Sequence, residues 1–136
     1  MIPEFVDTNV FIYAEEAAGG AKREAALALL GRLVEDQCGA VSTQVLAEFY
    51  SAATGKLRMN GHDAQYVLER LRDWTLHRPD HGSIMRSLQL HLRYKIQWWD
   101  AMIVNSAIEL GCSILWTEDL RHGQKIGGVT VRNPFR

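Results

Sequence analysis

The stretch Phe5-Val6-Asp7-Thr8-Asn9-Val10 constrains the fold more than any other part of the chain. An apolar run ends in a carboxylate and two small hydrogen-bonding residues, and a second apolar run, Val10-Phe11-Ile12-Tyr13, begins at once. It reads as a buried strand that delivers Asp7 to its carboxyl end, with a helix leaving directly. Asp is depleted from strand interiors and costly to bury unpaired. Two readings account for it. Asp7 can cap the helix that follows, or it can do chemistry at the strand's carboxyl end, the edge where open α/β sheets bind ligands.

The pattern continues along the chain. Val10 to Ala14 predicts a short helix, broken at Ala17-Ala18-Gly19-Gly20. Ala21 to Gln37 predicts a long one, with Ala26, Leu29, Leu30, Leu33 and Val34 at three- and four-residue spacing. Ala40 to Ser42 predicts a strand. Ser42 or Thr43 then caps a helix from Gln44 to Ala53, where Val45, Leu46, Phe49 and Ala53 form the apolar stripe and Glu48 sits beside it. Thr54 to Arg58 is a basic loop, and Asn60-Gly61 is a turn signal. Further helices are expected from His62 to Trp74 and, capped by Asp80, from His81 to Tyr94, the latter with Ile84, Leu88 and Leu92 as its apolar side. Thr75 to His77 is a short extended piece between them. Asp100 opens a helix beside Trp98 and Trp99, with Ile103, Ala107 and Leu110 on its inner face. Ser113 to Trp116 is a second buried strand, ending at Thr117-Glu118-Asp119. Residues 121–128 form a polar loop without the spacing of a nucleotide-binding P-loop, and Val129 to Val131 is a last strand. Strands alternating with helices imply a parallel-type sheet with helices packed on it and its carboxyl ends on one side.

At 136 residues the chain is sized for one domain, residues 1–136, with one core. No apolar run approaches the roughly 20 residues of a membrane span and no signal peptide is evident, so a cytoplasmic protein with no membrane partner is expected. Cys38 and Cys112 are far apart in sequence and are expected to be buried thiols. A net charge of -1 provides no global field for nucleic acid. Binding a polyanion would need a local basic patch or a metal bridge.

Asp7, Glu48, Asp100 and Asp119 change the balance between capping and chemistry. All four can converge on one sheet edge. Two like charges about 4 Å apart repel by roughly 4 kcal/mol at an effective dielectric near 20, so four ionised carboxylates need protonation or a divalent cation. Oxygen ligands suit Mg2+ or Mn2+, and the five histidines lack zinc spacing. A carboxylate-bound cation points to phosphate chemistry. Lys56, Arg58, Arg121 and Lys125, in loops flanking that edge, are candidates for contact with a phosphate backbone.

Asp7-Thr8-Asn9-Val10, Glu48 within Val45-Leu46-Ala47-Glu48-Phe49, Trp99-Asp100-Ala101 and Thr117-Glu118-Asp119-Leu120 resemble the four motifs of the PIN-domain family, in the family's order. The tail Gly127-Gly128-Val129-Thr130-Val131-Arg132-Asn133-Pro134-Phe135 resembles small bacterial members, typically VapC-type toxins of toxin–antitoxin pairs. The resemblance spans essentially the whole chain. It implies a Rossmann-like three-layer α/β/α fold with a mainly parallel central sheet, and a Mg2+- or Mn2+-dependent endoribonuclease whose water attack leaves a 5′-phosphate and a 3′-hydroxyl. By motif position Asp7, Glu48, Asp100 and Asp119 would be the catalytic and metal-binding acids, with Thr8, Asn9 and Thr117 orienting them. Glu118, beside Asp119, is the competing choice for the fourth acid. The resemblance also implies a homodimer and a cognate antitoxin lying in a groove near the site, for which Ala21 to Gln37 and Gln44 to Ala53 are the candidate helices.

Other readings fit less well. A haloacid-dehalogenase-type phosphatase needs a second Asp where Asn9 stands. A receiver-type phosphoacceptor domain needs an acidic pair at the first strand and a matched lysine. An RNA- or partner-binding module without turnover gains nothing from crowded carboxylates. A nuclease of RNA maturation or decay shares every one of these residues with a toxin.

Overall fold

The computed structural model describes residues 1–136. Six strands form one sheet: β1 (Glu4–Val6), β2 (Gly39–Ser42), β3 (Thr75–His77), β4 (Ile114–Trp116), β5 (Lys125–Ile126) and β6 (Val129–Arg132). Six helices connect them: α1 (Thr8–Glu15), α2 (Gly20–Glu35), α3 (Thr43–Gly55), α4 (Gly61–Glu69), α5 (His81–Tyr94) and α6 (Trp98–Glu109). The strand order is β3-β2-β1-β4-β6-β5, and every pairing is parallel except β5 with β6.

This order positions the site. From β1 the chain steps outward through β2 to β3, then returns past both to β4. Right-handed crossovers put α1 to α4 on one face and, after the reversal, α5 and α6 on the other, which gives the three layers expected from the sequence. The reversal falls between β1 and β4, so the loops after them part and leave a crevice at their carboxyl ends. Asp7 follows β1 and Thr117 follows β4.

Phe5, Val6, Val41 and Leu115 on the central strands are buried, as are Val10, Val45, Phe49 and Leu33 from the first face and Ile103 and Val104 from the second. Phe5 lies on the central strand within the main apolar cluster. Phe5→Ala is expected to cost about 3–5 kcal/mol in chemical denaturation.

Several boundaries differ from the sequence reading. The expected helix from His62 to Trp74 ends at Glu69. Beyond it Leu71, Arg72 and Trp74 each donate N–H to the carbonyl three residues back, a tighter winding that turns the chain toward β3. That turn lays the Trp74 ring against Gly39, where a Cβ would come within 2.5 Å of it. The Thr54–Arg58 loop is shortened because α3 runs on to Gly55, and α6 starts at Trp98, placing Asp100 in its first turn. Lys125 and Ile126, read as loop, pair with β6 as a hairpin. Gly127 and Gly128 close it with φ of 56° and 86°, the left-handed pair that a two-residue turn requires.

The apolar side expected for α5 is reversed. Ser83 and Ser87 face inward, whereas Ile84, Leu88 and Leu92 are exposed. The serines suit a close, hydrogen-bonded contact with α6. Ser87 Oγ donates to the Ser83 carbonyl, which also accepts from Asn105 Nδ2. Ser83 Oγ donates to Glu109, and Glu109 is paired with both His77 and Arg86. Both cysteines are buried and unbridged, as expected, and no helix is long and apolar enough to cross a membrane.

Candidate metal centre

Asp7 is both a cap and a member of an acidic cluster. Its Oδ1 accepts the Thr8 backbone N–H at 2.7 Å, at the start of α1, and its Oδ2 accepts the Thr117 hydroxyl at 2.8 Å. Only 5% of its surface is exposed. Burial drives its pKa up to about 7; the Thr117 and Thr8 hydrogen bonds oppose the rise, and Asp119 and Glu48 add to it.

Asp100 projects into the same crevice from the first turn of α6, on the opposite face of the sheet. Burial, with Asp119 and Glu48 nearby, lifts its pKa to about 6. Asp119 arrives from the loop after β4, its pKa also raised, chiefly by burial, and held back by the Asn9 amide. One carboxylate oxygen from each of Asp7, Asp100 and Asp119 lies within 4.8 Å of the others.

Glu48 lines the same cleft but stands outside that trio. Both of its oxygens are engaged. Oε1 accepts the Thr8 hydroxyl at 2.7 Å, and Oε2 accepts Gln44 Nε2 at 3.2 Å. Asn9 Nδ2 donates to Asp119 Oδ2 at 3.1 Å and more weakly to Thr117 Oγ1 at 3.4 Å, while Thr117 Oγ1 also accepts the Asp119 N–H. Thr8, Asn9 and Thr117 are thus each hydrogen-bonded to at least one of these acids.

The adjacent acids Glu118 and Asp119 are separated by their partners. Glu118 accepts from the Tyr13 hydroxyl at 2.8 Å and from Lys22 at 3.0 Å. Lys22 lies over the Tyr13 and Phe135 rings. This cluster pins the C-terminal tail beside the cleft and engages Glu118, leaving Asp119 to face Asp7 and Asp100.

Gln44 was not singled out from the sequence. It lies one turn before Glu48 on α3, and its Nε2 also reaches the Trp99 carbonyl on α6 at 3.4 Å, bridging the two faces of the sheet across the cleft. The i, i+4 spacing to an acid was the available signal. Of the four basic candidates, Lys56 lines the cleft, whereas Arg58, Arg121 and Lys125 do not.

Six carboxylates (Asp7, Glu16, Glu48, Asp100, Glu118 and Asp119) and the single cation Lys56 line this cleft of about 340 Å3, with no histidine or cysteine. Two amide oxygens, Asn9 Oδ1 and Gln44 Oε1, are buried without a hydrogen-bond partner. An all-oxygen set with spare acceptors fits a hard divalent cation and does not fit zinc.

The PIN domain family model matches residues 5–126. The chain belongs to the PIN domain family. No curated protein matches this PIN domain in sequence. Among solved structures it is similar to a toxin–antitoxin complex from Klebsiella pneumoniae, at 22% identity and TM-score 0.70, over 96% of this chain and 97% of that one. It is also similar to the DNA-bound VapBC of Salmonella typhimurium, at 20% identity and TM-score 0.67, over 98% and 99% of the two chains. A third match is the sarcin-ricin loop cleaving toxin VapC20 of Mycobacterium tuberculosis, at 18% identity and TM-score 0.61, over 82% and 85%. At these identities the solved structures establish a shared fold.

Proposed function

We infer that this PIN domain is a Mg2+- or Mn2+-dependent endoribonuclease, the toxin of a toxin–antitoxin pair acting in the cytoplasm. The convergence of Asp7, Asp100 and Asp119 within 4.8 Å carries the reading. Metal-free, these acids are relieved of repulsion only by holding protons, and a cation relieves it while leaving them ionised. Asp7, Asp100 and Asp119 would hold the ion. When bound it would neutralise phosphate charge and lower the pKa of attacking water. The cleft otherwise repels RNA, since Lys56 faces five carboxylates besides Glu118, which Lys22 pairs.

The protein's own residues supply the order. Thr117 and the Thr8 N–H fix both oxygens of Asp7, Asn9 fixes Asp119, and Thr8 with Gln44 fixes Glu48. Glu48 stands back from the trio, and its charge would add to the negative field that attracts the cation. Groups that orient metal ligands are worth about 10- to 100-fold in metal affinity or activity. Gln44→Ala is therefore expected to lower the cleavage rate about tenfold, with little change in melting temperature, measured on one RNA substrate at saturating Mn2+.

An antitoxin segment would dock in a second groove, which shares no lining residue with the acidic cleft and so is not the groove beside the site that was expected. Leu27, Leu30 and Val34 of α2, Val67 of α4, and Leu71 and Trp74 beyond it line a largely apolar groove. Leu27 and Val34 are exposed there, which suits an amphipathic helix. Of the two helices proposed from sequence, α2 lines this groove. α3 does not, because its Val45, Phe49 and Ala53 are spent on the core. The homodimer would use the exposed stripe of α5.

The deciding experiment is incubation of the purified protein, free of antitoxin, with total RNA and Mg2+ or Mn2+. Discrete fragments carrying 5′-phosphates, lost on adding EDTA, are expected. Intact RNA under every metal condition would favour a binding module without turnover.

A further inference from the structure

Of the four tryptophans, three have evident structural work. Trp74 packs on Gly39 and Phe11, Trp98 meets the edge of His91, and Trp116 donates its indole N–H to Glu4 at 2.8 Å. Trp99 differs. It is 56% exposed, it lines the acidic cleft, and its ring has no aromatic or cationic partner in the chain. Leaving so large an apolar surface in water forgoes a sizeable burial gain, and here the exposed residue directly precedes Asp100 and shares its cleft. Its backbone is held in place, because its carbonyl accepts from Gln44 Nε2 at 3.4 Å across the cleft.

We propose that Trp99 is a stacking platform for a nucleobase of single-stranded RNA, next to the bond to be cleaved. The inference rests on the ribonuclease reading and adds the subsite through which substrate is held. The charge of the cleft favours this ligand. Phosphate is repelled by the carboxylates except at the metal and near Lys56, but the face of a base is uncharged and tolerates acidic surroundings. Stacking also requires an unpaired base, so the platform selects single-stranded RNA or a loop over a duplex. An aromatic platform has little preference among bases, so it adds affinity and register and leaves sequence choice to other contacts. With few phosphate contacts, the dependence of affinity on salt is expected to be shallow.

Equilibrium binding of a short fluorescein-labelled single-stranded RNA tests this by anisotropy with Mn2+ present. Asp7→Asn serves as the background, so that binding is read without turnover. Adding Trp99→Leu is expected to weaken binding by about tenfold or more, in the range of one lost base stack, while Trp99→Phe retains most of the affinity. Removing one base from the RNA at the stacked position should weaken binding to the parent equally, with no further loss in Trp99→Leu. Trp99 is exposed, so both variants should keep the parent's melting temperature. Unchanged affinity in Trp99→Leu overturns the proposal, as does a Trp99→Leu loss that is the same on intact RNA and on every abasic RNA. If Trp99→Leu changes only the protein's sedimentation or its binding of antitoxin, the ring is a protein contact and the proposal fails. Wild-type cleavage of RNA alongside unchanged affinity in Trp99→Leu would reject the platform and keep the ribonuclease. A wild type that cleaves no RNA would reject the ribonuclease, whatever the anisotropy shows.

Discussion

Asp100→Asn is expected to lower metal-dependent RNA cleavage by about 100-fold or more while leaving the metal-free protein at least as stable as the wild type. Residues that only orient metal ligands are worth about 10- to 100-fold, and a direct ligand should reach the upper end of that range. Asp100 suits this test because no hydrogen bond holds its carboxylate; the influences on it are burial and the charges of Asp119 and Glu48. The amide keeps its shape and removes one charge from the crowd. Asp7→Asn should abolish cleavage equally, with less benefit to stability. Asp7 accepts two hydrogen bonds, from the Thr8 N–H and the Thr117 hydroxyl. An amide accepts well at only one of its two atoms, so it opposes a donor at the other. A buried mismatch of that kind costs about 1–3 kcal/mol, which offsets the relief of repulsion. Cleavage rates and thermal melts in EDTA for both variants check the pair of outcomes.

The metal-free protein is expected to lose stability as pH rises from about 5 to 8, and Mn2+ is expected to restore it. The folded chain holds the Asp7 proton up to about pH 7 and the Asp100 proton up to about pH 6, whereas both groups have ordinary values of 3.8. Across that window the folded state binds more protons than the unfolded state, so unfolding free energy falls with rising pH. For buried Asp7 the loss across this window is up to about 2.7 kcal/mol, the part of its shift that lies above pH 5; half-buried Asp100 adds less. Glu4, Asp80 and Glu109 have lowered pKa values. Their contributions run the opposite way but vary only near and below their unfolded values of 4.5, 3.8 and 4.5, and so lie outside the window. A cation at 100 times its Kd stabilises the native state by about 2.7 kcal/mol. Thermal melts across pH 5–8 in EDTA and in Mn2+ measure both effects. A flat EDTA profile would mean that the acids are not held together in solution.

The acids were legible because each sits where a local pattern breaks. Asp7 and Asp119 follow apolar strands that have no local use for a carboxylate, and Asp100 stands in the first turn of a helix with an apolar inner face. The parallel order followed from the alternation of strand and helix. What sequence could not supply was juxtaposition across the sheet. Gln44 looks like any residue at a helix start until α6 is packed opposite it, and Glu118 is told from Asp119 only by Tyr13 and Lys22 arriving from α1 and α2. The reversed face of α5 was hidden for another reason. Its contact with α6 uses serines and a buried asparagine, so a rule that places leucine inside chose the wrong side. The hairpin at Gly127-Gly128 was missed, because its glycine pair lay inside a stretch read as one polar loop.

The arrangement of Asp7, Asp100 and Asp119 around a divalent cation is tested most directly by an anomalous difference map from crystals of the wild-type protein soaked in Mn2+. The expected result is a peak contacted by oxygens of these three carboxylates, absent from crystals of Asp100→Asn treated identically. A map with no peak between them at saturating Mn2+, or a peak that persists unchanged in Asp100→Asn, would contradict the assignment of this cleft as the metal centre.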